Sequence, residues 1–264
     1  MAVIFYLSGT GNSLYAAKSI AQELEQCRLE GITGYLKAPY EVQDEVVGIV
    51  CPVYCMALPP VVEAFLQQVK MVPQYIFLVV TMGAMSGQAL GQGKELLKQR
   101  ELRLSYGAQV ALPDNSIVFP SPQARQEKLL RNAPDELGMI ARNIKNKYDN
   151  YQHLDRGFLW KYGGTAAGMW LLDKIKQFGK LSCADDKCVG CGICAEVCPA
   201  GNITMAAGKP AFGSECVHCF GCAHWCPQNA ISLGRLKPDQ KTRYKHPEIT
   251  PAELAVQKER KDEI

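Results

Sequence analysis

Eight of the twelve cysteines in the chain form two runs with the same spacing, C-x2-C-x2-C-x3-C-P, and the runs begin 28 residues apart. They are Cys188, Cys191, Cys194 and Cys198, followed by Cys216, Cys219, Cys222 and Cys226. Three closely spaced thiolates on a tight loop can hold three irons of a cubane, and the fourth reaches the neighbouring cluster. The spacing therefore predicts two 4Fe–4S clusters. One lies on Cys188, Cys191, Cys194 and Cys226, and the other on Cys198, Cys216, Cys219 and Cys222.

Structural zinc is the competing interpretation of the same cysteines, because zinc also binds four thiolates. Zinc ribbons use paired C-x2-C knuckles rather than triplets followed by x3-C-P, so we favour iron–sulfur clusters. Gly190, Gly192 and Gly221 fit a backbone wrapped closely around a cluster. Cys183 lies outside the pattern, and we favour a buried packing role for it over an extra thiol near a cluster.

A second group of residues could bind an anion. Ser8-Gly9-Thr10-Gly11-Asn12-Ser13 joins an apolar run to a predicted helix, where backbone N–H groups and the helix dipole favour negative charge. The loop carries hydroxyl and amide donors but no Lys or Arg, and it matches neither GxxxxGK[ST] nor GxGxxG. Its alternative role is a helix cap alone.

Strand-like and helix-like segments alternate over residues 1–150 and predict a parallel, doubly wound α/β sheet of five strands. The predicted strands are Ala2–Leu7, Ile32–Leu36, Val46–Val50, Tyr75–Thr81 and Leu104–Leu112. The predicted helices are Asn12–Gln26, Pro60–Val69, Gly87–Arg100 and Ser121–Lys147, the last with a possible break at Pro134. In the strand order 2-1-3-4-5, the loops after strands 1, 3 and 4 meet at one crevice.

Residues 1–150 resemble the flavodoxin-like family, which implies an FMN site in that crevice. The resemblance places the FMN phosphate on Ser8, Gly9, Thr10, Gly11, Asn12 and Ser13. It places the isoalloxazine between Pro52, Val53 and Tyr54 on one side and Thr81, Met82, Gly83 and Gly87 on the other. Tyr54 is the expected stacking group, with a surface aromatic as the alternative. For Cys51 and Cys55 we favour packing over a role in tuning the flavin.

Residues 183–234 resemble a bacterial-type two-cluster ferredoxin. Together the two parts resemble the flavodoxin–ferredoxin fusion proteins of anaerobic bacteria and archaea over nearly the full chain. The expected organisation is an FMN domain (1–150), a linker (151–182), a smaller α+β cluster domain (183–234) and a charged C-terminal extension (235–264). The linker is either a tether whose aromatics pack on both domains or, less favoured because of its glycines, a lipid-facing helix. Thr250 and Glu253 predict a capping box.

The charge and the apolar runs of the chain make some classes of protein less favoured. The formal charge of +3 gives little support to nucleic-acid binding. We expect neither a membrane span nor a signal peptide, and therefore a cytoplasmic protein with reduced thiols.

His218 and His224 could tune a cluster, but exposed loop positions are the favoured interpretation. Residues 243–247 could either dock an acidic partner or form a solvated tail.

These predictions favour an electron-transfer module in anaerobic metabolism, in which FMN and clusters convert between two-electron and one-electron chemistry. Its partner would be a redox protein (a ferredoxin or reductase) or a small-molecule acceptor, and a homodimer is possible. One alternative is a flavin-dependent reductase of a small organic substrate that uses the clusters as an internal wire. Another is a non-catalytic redox sensor or zinc-stabilised scaffold.

Overall fold

The computed structural model of the chain describes residues 1–116, 120–154, 170, 181–184, 186–234 and 243–259. The strands in these ranges are β1 (Ala2–Tyr6), β2 (Cys27–Gly31), β3 (Glu41–Val42), β4 (Val46–Pro52), β5 (Lys70–Met71), β6 (Tyr75–Met82), β7 (Tyr106–Ala111), β8 (Leu181–Cys183), β9 (Ile203–Ala206), β10 (Lys209–Phe212) and β11 (Ile231–Leu233). The α-helices are α1 (Asn12–Glu23), α2 (Ile32–Lys37), α3 (Pro60–Gln68), α4 (Ala89–Lys98), α5 (Gln123–Lys145), α6 (Ile193–Glu196), α7 (Gly221–Trp225) and α8 (Pro251–Ala255). None of the helices described in these ranges has the length and hydropathy needed to cross a membrane.

Five parallel strands form the central sheet in the order β2-β1-β4-β6-β7. The two-residue strands β3 and β5 pair with each other outside this sheet, so the five main strands follow the predicted order 2-1-3-4-5. Val3 and Phe5 of β1 face one hydrophobic core, and Ile4 and Tyr6 face the other. This burial on both faces explains the continuous apolar run of β1. The predicted flavodoxin-like doubly wound fold is confirmed.

The second strand was predicted in the wrong place. It lies at Cys27–Gly31, and the segment predicted as a strand, Ile32–Leu36, forms helix α2. β2 is an edge strand with only its last two residues buried, so it lacks an apolar run. A Cβ on Gly34 would lie 2.0 Å from the carbonyl oxygen of Glu259. This packing against the far end of the chain leaves no local signal in the sequence.

Helix α5 continues through Pro134, so the possible break does not occur. Proline removes one backbone hydrogen bond from the helix. The neighbouring Ala133 and, further on, Leu137 and Ile140 are buried against the sheet, and this tertiary packing outweighs the loss. Most of the predicted linker, residues 151–182, lies outside the described residues. The tether and the lipid-facing helix therefore both stay predictions.

The cysteine-rich region is a small α+β unit beside the sheet. Its strands pair antiparallel, β8 with β11 and β9 with β10. In sequence, α6 lies between β8 and β9, and α7 lies between β10 and β11. Val197 and Trp225 of this region belong to the same hydrophobic core as α1 and α5, together with Ile249 and Leu254. The two units therefore share a core. The domain boundaries at residues 150, 182 and 234 stay predictions.

Candidate functional site

The loops after β1, β4, β6 and β7 meet at the carboxyl edge of the sheet, where the strand order reverses between β1 and β4. The Oγ atom of Ser13 lies 2.9 Å from the Oγ1 atom of Thr81, and both residues are buried. The side chain of Asn115, after β7, donates to Thr10 Oγ1 (3.3 Å). Predicted residues of the β1 and β6 loops are therefore brought together, and the β7 loop joins them.

The predicted phosphate loop makes a tight turn into α1. Gly11 is the N-cap of α1 with φ of 104°, a left-handed conformation that favours glycine. Its N–H donates to Ser8 Oγ (3.2 Å). The loop hydroxyls are buried at the positive end of a helix dipole, which is a physical fit to an anionic phosphate. Asn12 instead holds the loop against the segment after β7, because its side-chain amide donates to the Pro113 carbonyl (2.9 Å).

The β4 loop is held against the β6 loop by a strained turn. Tyr54 and Ala57 exchange backbone hydrogen bonds of 2.9 and 3.0 Å. Between them Cys55 (φ 49°) and Met56 (φ 65°) are both left-handed, although neither is glycine. A Cβ on Gly87 would lie 2.2 Å from the Met56 carbonyl oxygen. Gly87 is therefore required for the close approach of two loops predicted to border FMN.

The other residues predicted for the isoalloxazine lie along this edge. Pro52 and Thr81 are paired at the ends of β4 and β6, and Val53 N–H donates to the Thr81 carbonyl (3.0 Å). Met82 ends β6. A Cβ on Gly83 would lie 2.5 Å from the Asp114 side chain, so the β6 and β7 loops also touch.

Tyr54 carries a buried hydroxyl that has no hydrogen-bond partner within the described part of the chain. Burial raises its pKa, and the nearby Cys219, Cys51 and Cys216 raise it further. A buried donor without an acceptor is costly, so this hydroxyl fits a position beside a bound group. Tyr54 thus lies between the sheet edge and the second cysteine run. Cys51 is fully buried in the core, in agreement with the packing role expected of it.

The eight motif cysteines surround two separate voids. The first void is lined by Cys188, Cys191, Cys194 and Cys226. The second void is lined by Cys198, Cys216, Cys219 and Cys222. The structure therefore groups the thiols in the crossed sets that the spacing predicted. Across the described ranges, no three His, Cys, Asp or Glu side chains come together closely enough to hold a single ion.

The two runs adopt the same backbone geometry. Asn202 N–H donates to Cys198 Sγ and Ala230 N–H to Cys226 Sγ, each over 3.3 Å and each four residues after the fourth cysteine of its run. Such bonds to sulfur are among the levers that set cluster potentials. Gly192 has φ of 78°, and its counterpart in the second run, Phe220, has φ of 56°. The duplication seen in the sequence is thus a duplication of structure.

Burial makes these thiols reluctant to ionise alone. Burial, together with the nearby Cys198 and Cys216, raises the pKa of Cys219 to about 12. The pKa of Cys194 is raised by burial and by Cys191 and Cys226, although a backbone hydrogen bond lowers it. Bound iron would reverse this preference, because coordination to a cation deprotonates a thiol. The donor sets therefore fit metal clusters.

Cys183 lies at the end of β8 and lines the first void. Burial, together with a hydrogen bond with Cys188, raises its pKa to about 12. It is a partly exposed fifth thiol beside the predicted cluster. The expectation of full burial is therefore wrong, whereas the expected packing is present, since Cys183 packs against the buried cluster that includes Cys194 and Cys198. The sequence spacing could not show that β8 pairs with β11 next to the cluster loop.

The predicted phosphate loop directly contacts the second cysteine run. A Cβ on Gly9 would lie 2.7 Å from the carbonyl oxygen of Cys219, and one on Gly221 would lie 2.7 Å from the carbonyl oxygen of Gly9. The indole Nε1 of Trp225 donates to the same Gly9 carbonyl (3.1 Å). Gly9 and Gly221 therefore allow two backbones to touch between the two candidate cofactor sites.

Residues 243–259, which we call the C-terminal clasp, pack on the phosphate loop. The side-chain amide of Gln257 accepts from Ser8 N–H (2.9 Å) and donates to the Ser8 carbonyl (2.8 Å). His246 N–H donates to the Thr10 carbonyl (2.8 Å). The predicted capping box of Thr250 and Glu253 is confirmed at the start of α8. The clasp thus fixes the loop from outside the sheet.

The clasp also binds the cysteine-rich unit. Lys258 Nζ donates to the carbonyls of Ala195 and Glu196, each over 2.8 Å. Arg243 donates to the Cys226 carbonyl (3.0 Å). The segment 243–247 is therefore not a solvated tail, since His246 is 1% exposed. Sequence analysis missed these residues, and only the capping box indicated structure here.

His224 is buried rather than exposed, which corrects the favoured prediction. Its Nε2 lies 2.7 Å from the Asn115 carbonyl oxygen, and its Nδ1 accepts from Tyr244 N–H (3.0 Å). Burial lowers its pKa to about 4, so the ring is neutral at pH 7. His224 therefore joins the β7 loop, the cysteine-rich unit and the clasp. His218 is partly buried, and its Nδ1 lies 3.0 Å from the Cys216 carbonyl oxygen.

Two parts of the chain are similar to known proteins. Residues 187–231 match the 4Fe–4S dicluster domain. Similar folds include a two-electron reduced flavodoxin from Megasphaera elsdenii (20% identity, 53% of this chain and 98% of the flavodoxin, TM-score 0.35). They also include a flavodoxin from Streptococcus pneumonia TIGR4 (14%, 53% and 98%, TM-score 0.33) and the Trp repressor binding protein from Bacillus subtilis (10%, 51% and 99%, TM-score 0.33). No curated protein sequence matches. The chain combines a flavodoxin-like sheet with a 4Fe–4S dicluster domain, which is the arrangement of a flavodoxin–ferredoxin fusion.

Proposed function

We propose that the chain is an electron-transfer iron–sulfur flavoprotein that couples one-electron and two-electron steps in anaerobic metabolism. The crossed cysteine sets would hold two 4Fe–4S clusters, and the carboxyl edge of the sheet would hold FMN. When bound, each cluster carries one electron and FMN carries one or two. Clusters with only cysteine ligands tend towards low potential, which supports a role in anaerobic metabolism.

The contact between Gly9 and Cys219 carries this proposal. Gly9 belongs to the predicted phosphate loop, and Cys219 lines the second void. Because their backbones touch within one chain, a second copy is not required to bring the two sites together. Trp225 and the clasp hold this contact in place through their bonds to Gly9 and Ser8. A fixed short separation is what efficient electron exchange between bound cofactors requires.

The two voids differ in exposure, and this supports a particular arrangement of partners. Cys191 is exposed at the first void, and its neighbour Val189 is 64% exposed. Cys219 and Cys222 at the second void are buried. A ferredoxin or reductase would therefore meet the chain at the first void, while the second void faces the FMN site.

Anaerobic reduction with limiting dithionite tests the proposal. Flavin and iron–sulfur absorption should both bleach, and a one-electron acceptor or a two-electron acceptor should restore both. Electron paramagnetic resonance of the reduced protein should show two interacting clusters. A colourless zinc protein, or a flavin that stays oxidised beside reduced clusters, would contradict the proposal.

A further inference from the structure

Four hydrogen bonds, which we call the hydrogen-bond ring, connect the predicted phosphate loop with the cysteine-rich unit. The Tyr244 hydroxyl donates to Asn12 Oδ1 (2.7 Å), and the Tyr244 N–H donates to His224 Nδ1 (3.0 Å). His224 Nε2 lies 2.7 Å from the Asn115 carbonyl oxygen, and the Asn115 side chain donates to Thr10 Oγ1 (3.3 Å). Thr10 and Asn12 belong to the same loop, so the chain itself closes the ring.

The donors and acceptors of the ring fit a single form of the His224 imidazole. A backbone N–H can only donate, so Nδ1 must be the acceptor of the bond from Tyr244. The proton of the imidazole then lies on Nε2, which donates to the Asn115 carbonyl. His224 and Tyr244 are 4% and 5% exposed, so water hardly competes for these bonds.

One side of the ring depends on the cysteine sets. His224 lies on α7, which has five residues, and a helix of this length is not stable on its own. Cys222 lies within α7, and Cys226 follows the helix directly. When bound, iron would fix the thiolates at both places and with them the position of His224.

The other side of the ring holds the phosphate loop. The Asn12 side chain is oriented at both ends, because Oδ1 accepts from the Tyr244 hydroxyl and Nδ2 donates to the Pro113 carbonyl. The Thr10 hydroxyl is oriented by the Asn115 side chain. A phosphate bound in the loop would favour one loop conformation, and the ring holds the loop in a single conformation as well.

We propose that Tyr244 and His224 are positioning residues through which FMN binding and cluster retention stabilise each other. This inference rests on the proposed function, because it requires both kinds of cofactor. Coupling between two binding sites is reciprocal and typically changes affinity by about 5–150-fold. Bound FMN should therefore make the clusters harder to lose.

Release of iron to an anaerobic chelator tests the proposal on the full-length, cluster-loaded chain. Iron reaches bathophenanthroline disulfonate when the cysteine loops open locally, so the release rate reports the stability of the cluster sites. Saturating FMN should slow release from the wild type about ten-fold, compared with the same protein after its FMN has been removed by dialysis. Equal release rates with and without bound FMN would overturn the proposal.

Tyr244→Phe distinguishes the ring from simple shielding of iron by the flavin. The variant loses the bond to Asn12 but keeps the backbone bond to His224, so release without FMN should match the wild type. With saturating FMN, the protection should fall to about three-fold or less, as expected from the loss of one buried hydrogen bond. Tyr148→Phe is the matched control, since Tyr148 is 53% exposed, and it should keep the full protection.

Two results with Tyr244→Phe would refute the assignment. Full protection by FMN would mean that the flavin only shields the iron. Faster release with and without FMN alike would mean that the hydroxyl supports the fold in general rather than the coupling.

An FMN titration followed by flavin fluorescence separates this inference from the proposed function. A protein that holds iron and binds FMN, but whose clusters gain no protection from FMN, would refute only the coupling. A protein that holds neither cofactor would refute the proposed function as well.

Discussion

A single methyl group at Gly221 should disturb the contact between the phosphate loop and the second cysteine run. In Gly221→Ala the new Cβ would lie 2.7 Å from the Gly9 carbonyl oxygen, whereas ordinary contact begins at 3.4 Å. The Gly9 oxygen belongs to the backbone and the new Cβ is attached directly to the backbone of residue 221, so neither atom can rotate away and the two segments must move apart by about 0.7 Å. Ile193 begins α6 as Gly221 begins α7, so the helix position itself accepts a side chain.

The cost of Gly221→Ala should be that of overpacking, about 1–3 kcal/mol of unfolding free energy. Anaerobic guanidinium unfolding followed by tryptophan fluorescence measures it, and the rate of flavin bleaching after cluster reduction should fall in the same variant. Gly138→Ala, which adds a methyl on α5 at an ordinary contact distance of 3.4 Å from the Arg142 side chain, should be neutral or stabilising by up to about 1 kcal/mol. If Gly221→Ala matched the wild type in both stability and rate, the contact would not exist as described.

Three further changes test other parts of the structure. Gln257→Leu leaves the buried Ser8 N–H and carbonyl without hydrogen-bond partners, so the unfolding free energy should fall by about 1–3 kcal/mol. The same variant should bind FMN more weakly in a flavin fluorescence titration, and an unchanged FMN affinity would contradict the role of the clasp. Burial lowers the His246 pKa to about 4. In the unfolded chain the pKa of His246 is about 6.5. Between pH 6.5 and pH 4 the unfolded state therefore binds a proton that the folded state does not, and the unfolding free energy should fall by up to about 1.4 kcal/mol for each pH unit of acidification. His246→Phe should reduce the slope of urea midpoints against pH, and an unaltered slope would refute this. Cys198→Ser should lose about half the iron in metal analysis, whereas Cys183→Ser should retain it; equal losses would make Cys183 a ligand.

Much of the fold followed from local pattern. Strand β1 was recognisable because burial on both faces requires an uninterrupted apolar run. The crossed cysteine sets followed from spacing, since a repeated loop places its fourth ligand beside the other cluster. The capping box of Thr250 was likewise local. In each case the determining interaction lies within a few residues or within a repeat.

The errors share the opposite cause. Strand β2 and helix α2 were misplaced because Gly31 and Gly34 pack against the clasp at the other end of the chain. His224 was expected in solvent because a histidine in a loop gives no sign that Tyr244 and the β7 loop will cover it. The contact between Gly9 and Cys219 joins residues more than 200 positions apart, and spacing alone could not reveal it.

Analysis of iron, sulfide, zinc and flavin in anaerobically purified protein tests the central claim most directly. The account predicts about eight irons and about eight sulfides per chain, with one FMN and without stoichiometric zinc. In Gly221→Ala the iron content should persist while electron exchange with the flavin slows. Stoichiometric zinc, or a protein with neither iron nor flavin, would contradict the account.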